Sequence, residues 1–322
     1  MPNKVICFGE ALIDFVPEEK GLALRDVSHF KKACGGAPAN VAAAVARQNC
    51  PALMLSQVGD DAFGDFIVET LRGQGVDTRH ILRTDKAHTA LAFVSIAASG
   101  ERSFVFYRHP SADMLYGPES VPDSVFQSND IFHFGSVDLV KGPMREAHRL
   151  AVKKAQEKGL IVSFDPNLRF NLWDDKDDLK AIIREFIPLC HLIKVSIDEL
   201  PFITSQASEA AGVHYLFQGA VKLVLVTYGS QGSTLYFKKG SIHQEAYRCS
   251  VKDTTGAGDS FLGGFLSQIL GKVKVETLGE PLPLYQNALA YGSALSSLVC
   301  EQYGALPMPS LSAVEERLKR GR

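Results

Sequence analysis

Hydrophobic positions along this chain switch between two spacings, and the order of switching predicts the architecture. Val5 to Phe8 is a short apolar run ending at Gly9. The alternation of Leu12, Asp14 and Val16 with Ile13 and Phe15 then predicts a second, half-exposed strand. A strand over Leu53 to Val58 is followed by Phe63, Phe66, Ile67, Leu71 and Val76 at helical spacing, closed by Gly73 and Gly75. Strand, helix and strand in that order are the units of a parallel sheet. The rhythm breaks from Thr89 to His109, where two β-rich runs meet at Ser99-Gly100 and predict a hairpin. With the Ile13 to Val16 strand, this hairpin would form a small separate sheet over the ligand site. That lid covers roughly residues 11–33 and 88–110.

From Asp130 the parallel rhythm returns. IFHFG precedes a helix over Pro143 to Lys158, and LIVSFD precedes a helix over Asp177 to Pro188. HLIKVS follows, then a strand over Leu223 to Val226, and helices after Gly256 that include Asn287 to Val299. There is no internal repeat, low-complexity tract or long linker, so the expectation is one α/β domain over residues 1–322 with the lid inserted in its core.

Composition narrows the ligand. The 322 residues are 46% hydrophobic with a formal charge of −2, which gives no basic field for nucleic acid or anionic lipid and favours a small-molecule partner. The six cysteines form no C-x-x-C pair and read as small core residues in a reducing compartment, the cytoplasm. Nine histidines show no zinc spacing, and no apolar run approaches membrane-spanning length.

The strongest local chemistry lies in DTTGAGDSF, Asp253 to Phe261. Gly256 and Gly258 precede an apolar helical run, so a helix starts here with unpaired N–H groups and the positive end of its dipole exposed to an anion. Asp259 beside such a pocket is repulsive to phosphate unless it takes the proton of an attacking hydroxyl. The plainer reading is a glycine-rich turn with Asp259 as helix cap. Phe261 occupies the place of the third glycine of a dinucleotide fingerprint, and no G-x-x-x-x-G-K-[ST] loop occurs.

Other candidates fall at comparable edges of the predicted units. Asp14 is a carboxylate on a strand, able to accept ligand hydroxyls. In GGAPANVAAAVARQ, Gly35 and Gly36 let a ligand approach the backbone, Pro38 suits a first helical turn, and Asn40 offers a donor and an acceptor to a polyol. Phe106 and Arg108 would point from the lid into the cleft. Asp165, Asn167 and Arg169 follow a buried strand, where open α/β sheets bind ligands. Glu199 starts a helix near the same edge and would hold Mg²⁺ through water. Thr227, Gly229 and Gly232 would bring hydroxyl and backbone donors to a polyphosphate. Each has a bland alternative as turn, cap or solvated side chain. Their convergence favours moving phosphate onto a polyol over hydride transfer or hydrolysis.

GGAPANVA (Gly35 to Ala42) and DTTGAGDSF resemble the two signatures of PfkB-type carbohydrate kinases, in the same order, and the likeness runs from Val5 to about Pro309. Within that family ICFGEALIDFVP, TALAFVSI, GERSFVFYRHPSADML and DPNLRFNLW look most like fructokinases. The resemblance implies a ribokinase-like three-layer α/β/α sandwich with a central, mostly parallel sheet and a β-sheet lid. It also implies ATP and Mg²⁺ as cofactors, and for some relatives a homodimer formed through the lid. By position, Asp259 would be the base and Gly256, Ala257 and Gly258 the anion hole. Asp14, Gly36 and Asn40 would hold sugar hydroxyls with Phe106 and Arg108, and Thr227, Gly229 and Asn287 would flank ATP. A monovalent cation site, for K⁺, would use Asp253 and Thr255 with backbone around Val299, Gln302 and Gly304. Where many members have N-x-x-E this chain has Ser196-Ile197-Asp198-Glu199, and serine does not replace the amide group for group. The rival substrate is 2-keto-3-deoxygluconate, whose carboxylate Arg108 would suit; Asp14 would repel it. A sugar-binding regulator without chemistry is the alternative from another class.

Overall fold

A computed structural model describes residues 2–19, 21–96 and 102–321. Among them run thirteen strands. They are β1 (Val5–Phe8), β2 (Leu12–Pro17), β3 (Phe30–Gly35), β4 (Ala52–Gly59), β5 (Ile81–Thr84), β6 (Leu91–Ile96) and β7 (Arg102–Tyr107), then β8 (Ile131–Gly135), β9 (Ile161–Asp165), β10 (Leu192–Ser196), β11 (Leu223–Thr227), β12 (Ser233–Phe237) and β13 (Gly240–Gln244). The principal helices are α1 (Ala37–Arg47), α2 (Ala62–Gly73), α3 (Pro143–Glu157), α4 (Lys176–Phe186), α5 (Leu200–Thr204), α6 (Glu209–Leu216), α7 (Ala257–Ile269), α8 (Leu284–Cys300) and α9 (Leu311–Arg320).

Nine strands form one sheet in the order β13-β12-β11-β10-β9-β8-β1-β4-β5. Seven of them are parallel, and the β12–β13 hairpin adds antiparallel strands at one edge. Because both faces are covered, the central strands are buried at nearly every position and apolar at most of them, rather than at alternate ones. On β1, Val5 and Cys7 pack with α1, α2, α7, α8 and α9, while Ile6 and Phe8 pack with α3 to α6. These are the three layers of an α/β/α sandwich. A Cβ on Gly263 would come within 2.5 Å of the Ala44 methyl, so the glycine allows α7 to lie tightly against α1.

The smaller sheet has the order β3-β2-β6-β7, in which β2 pairs antiparallel with β3 and parallel with β6, and β6 with β7 antiparallel. The chain crosses from β1 into this sheet through Gly9 to Ala11 and returns from β3 into α1, so the lid is continuous with the elements beneath it. The expected turn at Ser99-Gly100 lies outside the described residues. β3, β5, β12 and β13 are elements that the hydrophobic pattern did not predict: β3, β5 and β13 are short, partly exposed edge strands, and β12, buried between β11 and β13, opens on the polar Ser233 and Thr234.

Candidate active site

A cavity of about 320 Å³ opens where the carboxyl ends of β1, β9 and β10 meet the first turns of α1 and α7 beneath the lid. That volume is at the low end for small-molecule sites, roughly 300 to 1,000 Å³. Its walls bring together Asp14, Gly36, Asn40, Phe106, Asn167 and Arg169 from the expected hydroxyl side. Thr255, Gly256, Gly258 and Asp259 come from the expected phosphate side.

The two halves meet at Asp259. Its carboxylate accepts from Asn40 Nδ2 at 2.8 Å through Oδ2 and from Asn167 Nδ2 at 3.5 Å through Oδ1. Burial pushes the Asp259 carboxyl up, against the Asn40 hydrogen bond and the positive charges of Lys194 and Arg169. It is a group biased toward taking a proton. Gly256 caps α7 in the left-handed region at φ 74°, which a side chain would resist, and a Cβ there would lie 2.4 Å from the Ala305 methyl. The Ala257 N–H donates to the Thr254 carbonyl at 3.2 Å, so that amide is engaged within the turn.

On the opposite wall a Cβ on Gly35 would lie 2.1 Å from Asp14 Oδ2, so the glycine makes room for the carboxylate. Sequence reasoning missed two charged lining residues. Glu10 accepts the Ala37 N–H at 2.8 Å, tying the crossover from β1 to the first turn of α1, and burial pushes its carboxyl up to about 7 against the pull of Arg108. Lys194 reaches the cavity from the middle of β10 and donates to Asp165 Oδ2 at 2.8 Å. Its signal was visible as one charge inside the apolar run HLIKVS.

Arg108 requires a correction. It does not point into the cleft: the guanidinium is buried, bonded to Asp113 through Nε at 3.0 Å and also through Nη2, to Asp138, and to the Val137 carbonyl at 3.3 Å. An exposed hairpin end reads as a reaching arm, but three acceptors in the core below draw the side chain inward. Asp165 is likewise buried below the cavity rather than lining it, its carboxyl pushed up to about 6 by burial against the pull of Lys194.

The remaining candidates do not line the cavity. Glu199 accepts from Leu168 N at 2.6 Å and from Ser196 N and Oγ at 2.8 and 2.9 Å, so the serine that stands where many members have Asn binds this carboxylate. Thr227 ends β11 beside Ser196, with Gly229 and Gly232 in the turn that follows, and Asn287 is exposed on α8. Asp253 accepts Thr255 N at 2.7 Å and Gly304 N at 2.8 Å, joining the loop before the anion turn to the loop after α8. Val299 is buried in α8, and Gln302 Nε2 donates to the Pro307 carbonyl at 2.9 Å.

An acid held between a wall of carboxylate, amide and guanidinium groups suited to a polyol and the N-terminus of a helix defines a phosphotransferase acting on an alcohol. Residues 2–311 match the model of the pfkB family carbohydrate kinases, and the chain belongs to that family. It is 40% identical over 317 residues to "Probable fructokinase-6, chloroplastic" of Arabidopsis thaliana, covering 98% of this chain and 82% of that relative. Among solved structures, the fructokinase of Xylella fastidiosa with bound ATP superposes with a TM-score of 0.88 at 34% identity, over 99% of both chains. A double mutant of the Vibrio cholerae fructokinase, in a fructose-, ADP- and potassium-bound form, gives 0.89 at 30% identity over 98% of both.

Proposed function

We propose that this protein is a fructokinase that transfers the γ-phosphoryl group of ATP to the terminal hydroxyl of D-fructose, giving fructose 6-phosphate and ADP. The observation that carries this is the 2.8 Å bond from Asn40 to Asp259, which sets the base against the hydroxyl-binding wall and one residue from the Gly258 turn. Asp14, Gly36, Asn40, Phe106 and Asn167 hold the sugar under the lid. Asp259 takes the hydroxyl proton as the oxygen attacks phosphorus, and the amides at the start of α7 face the charge on the transferring group. ATP lies along the edge marked by Thr227, Gly229, Gly232 and Asn287, with its γ-phosphate toward Gly256.

A divalent cation fits the donor set. Asp165, Glu199 and Asp259 bring three carboxylates close to one ammonium, Lys194. Yet among the described residues no three side chains of His, Cys, Asp or Glu are placed to cage a metal. Mg²⁺ entering with the nucleotide and held through water by Glu199 meets both conditions, and when bound it supplies positive charge to the phosphate oxygens. Thr255 Oγ1 is buried without a hydrogen-bond partner beside Asp253. That suits K⁺ bound by Asp253 and Thr255 with backbone near Val299, Gln302 and Gly304.

A sugar acid is the weaker substrate, since Arg108 is committed to Asp113 and Asp138 while Glu10 and Asp14 present carboxyl groups to the cavity. ADP release should be measured with fructose and 2-keto-3-deoxygluconate side by side, with and without Mg²⁺ and K⁺. Fructose should give the higher kcat/KM and Mg²⁺ should be required; preference for the acid would overturn the fructose assignment. No helix among the described residues is long and apolar enough to cross a membrane, the six cysteines are free, and we place the reaction in the cytoplasm. Val105 and Tyr107 are 45% and 64% exposed on the lid strand β7, a surface suited to pairing with a second copy, which sedimentation would detect.

A further inference from the structure

Lysine is rare in the middle of a buried strand, because an ammonium out of water requires a partner charge. In β10 the residues from Leu192 to Val195 are all buried, and Lys194 is among them. Parallel register sets Ile193 opposite Phe164, which brings the next positions, Lys194 in the middle of β10 and Asp165 at the carboxyl end of β9, side by side. Nζ to Oδ2 is 2.8 Å, and the two side chains are 7% and 4% exposed. A purely internal ion pair would need nothing more, and two observations go beyond it. The lysine lines the cavity, and a Cβ on Gly258 would lie 3.2 Å from Nζ, so the ammonium stands against the first turn of α7. The site also holds three acids, Asp165, Glu199 and Asp259, against the two cations Lys194 and Arg169, and Asp165 Oδ1 has no hydrogen-bond partner.

We infer that Lys194 is a catalytic residue: held from behind by Asp165, its ammonium donates a hydrogen bond to a non-bridging oxygen of the phosphoryl group as that group passes from ATP to the sugar. The inference rests on the phosphotransfer reading above. In the step itself the sugar oxygen forms its bond to the γ-phosphorus. The bond from that phosphorus to the bridging oxygen breaks, its electron pair stays on ADP, and the hydroxyl proton goes to Asp259. Lys194 gives up no proton; its fixed charge faces the oxygens over which the transition-state charge is spread. The same charge favours the ionised form of Asp259. Removing it should therefore disturb both the rate and the pH at which the base is available.

The test uses the full chain as wild type, Lys194→Met, Lys194→Arg and the double variant Lys194→Met with Asp165→Asn, followed by steady-state ADP release on fructose and by thermal melting. Lys194→Met should lose on the order of a hundred- to a thousand-fold in kcat. The KM for fructose should change by less than about threefold, because the lost contact is one made in the transition state. The acidic limb of its kcat/KM profile should move to higher pH, and Lys194→Arg should recover part of the rate. In the double variant the unpaired buried carboxylate is gone, so melting should return toward wild type while kcat stays low. A double variant with near wild-type kcat would reduce Lys194 to a counter-ion for Asp165 and overturn the inference, as would an unchanged kcat in folded Lys194→Met. Wild type that releases no ADP with any sugar defeats the kinase reading instead, so the two failures are distinguishable.

Discussion

Two buried cations, Arg108 and Lys194, have surroundings that differ in a way that separates structural from chemical charge. Below the lid, Arg108 directs its guanidinium to Asp113, Asp138 and the Val137 carbonyl, and Ser111 Oγ donates in turn to Asp113. Of these residues only Val137 lines the cavity, and Arg108 itself does not. Beside α7, Lys194 makes one direct ion pair, to Asp165, and turns the rest of its charge to the cavity. The side chains suit these roles: a planar fork with five donors can be consumed by several fixed acceptors, whereas a point charge on a flexible stem can keep one partner and receive another. Burial of a charge therefore does not by itself mark an active site. What separates the two is access, since each faces three acids but only Lys194 lines the cavity.

The largest effect should come from Asp259→Asn, with kcat down by about two to four decades in the ADP-release assay. The fructose KM should change little; an unchanged kcat in the folded variant would remove the base assignment. Arg108→Met should instead strike stability, lowering it by about 3 to 5 kcal/mol in urea denaturation because Asp113 and Asp138 are left as buried unpaired acids. Normal stability with weakened fructose binding would make Arg108 a sugar ligand and break the contrast drawn above.

Asn40→Ala should cost on the order of tenfold in kcat/KM at neutral pH, the scale of one hydrogen bond to a charged group. Its pH profile carries a sign. The Asn40 bond holds the Asp259 pKa down against burial, and the base works only when ionised, so activity is lost as pH falls through that pKa. Removing the bond raises the pKa and should move the acidic limb to higher pH; a limb that stays in place would assign the titration to another group. Ser196→Ala should be mildest. It removes one of three hydrogen bonds to Glu199, about 1 kcal/mol, and should raise the Mg²⁺ concentration for half-maximal rate several-fold. No shift in Mg²⁺ dependence would detach Glu199 from the metal.

Local pattern carried much of this molecule. Central strands such as β4 and β8 are buried on both faces and so appear as apolar runs with few polar breaks, and helices such as α2 and α7 keep their 3.6-residue stripe. The DTTGAGDSF turn was legible because its constraint is local: Gly256 at φ 74° and a helix start two residues before Asp259 follow from residues within one turn of each other. Edge strands were not legible, since β3 is half-exposed with two lysines, and β13 packs only its last residue in full. Nothing in their spacing distinguishes them from loops until a neighbour supplies the ladder.

The side-chain partnerships belong to the tertiary structure alone. Lys194 is visible in the sequence as an anomaly, but Asp165 lies 29 residues away and only parallel register brings the two together. Arg108 reads as a lid residue reaching for ligand, yet its acid partner Asp138 is 30 residues further on, in the turn after β8. Asn40 and Asp259 are separated by 219 positions and meet because α1 and α7 start at the same end of one sheet. Backbone periodicity depends on neighbours within a few residues and so is written along the chain. The pairing of charges depends on which strand ends adjoin and which cavities remain dry, and those are settled only when the layers close on one another.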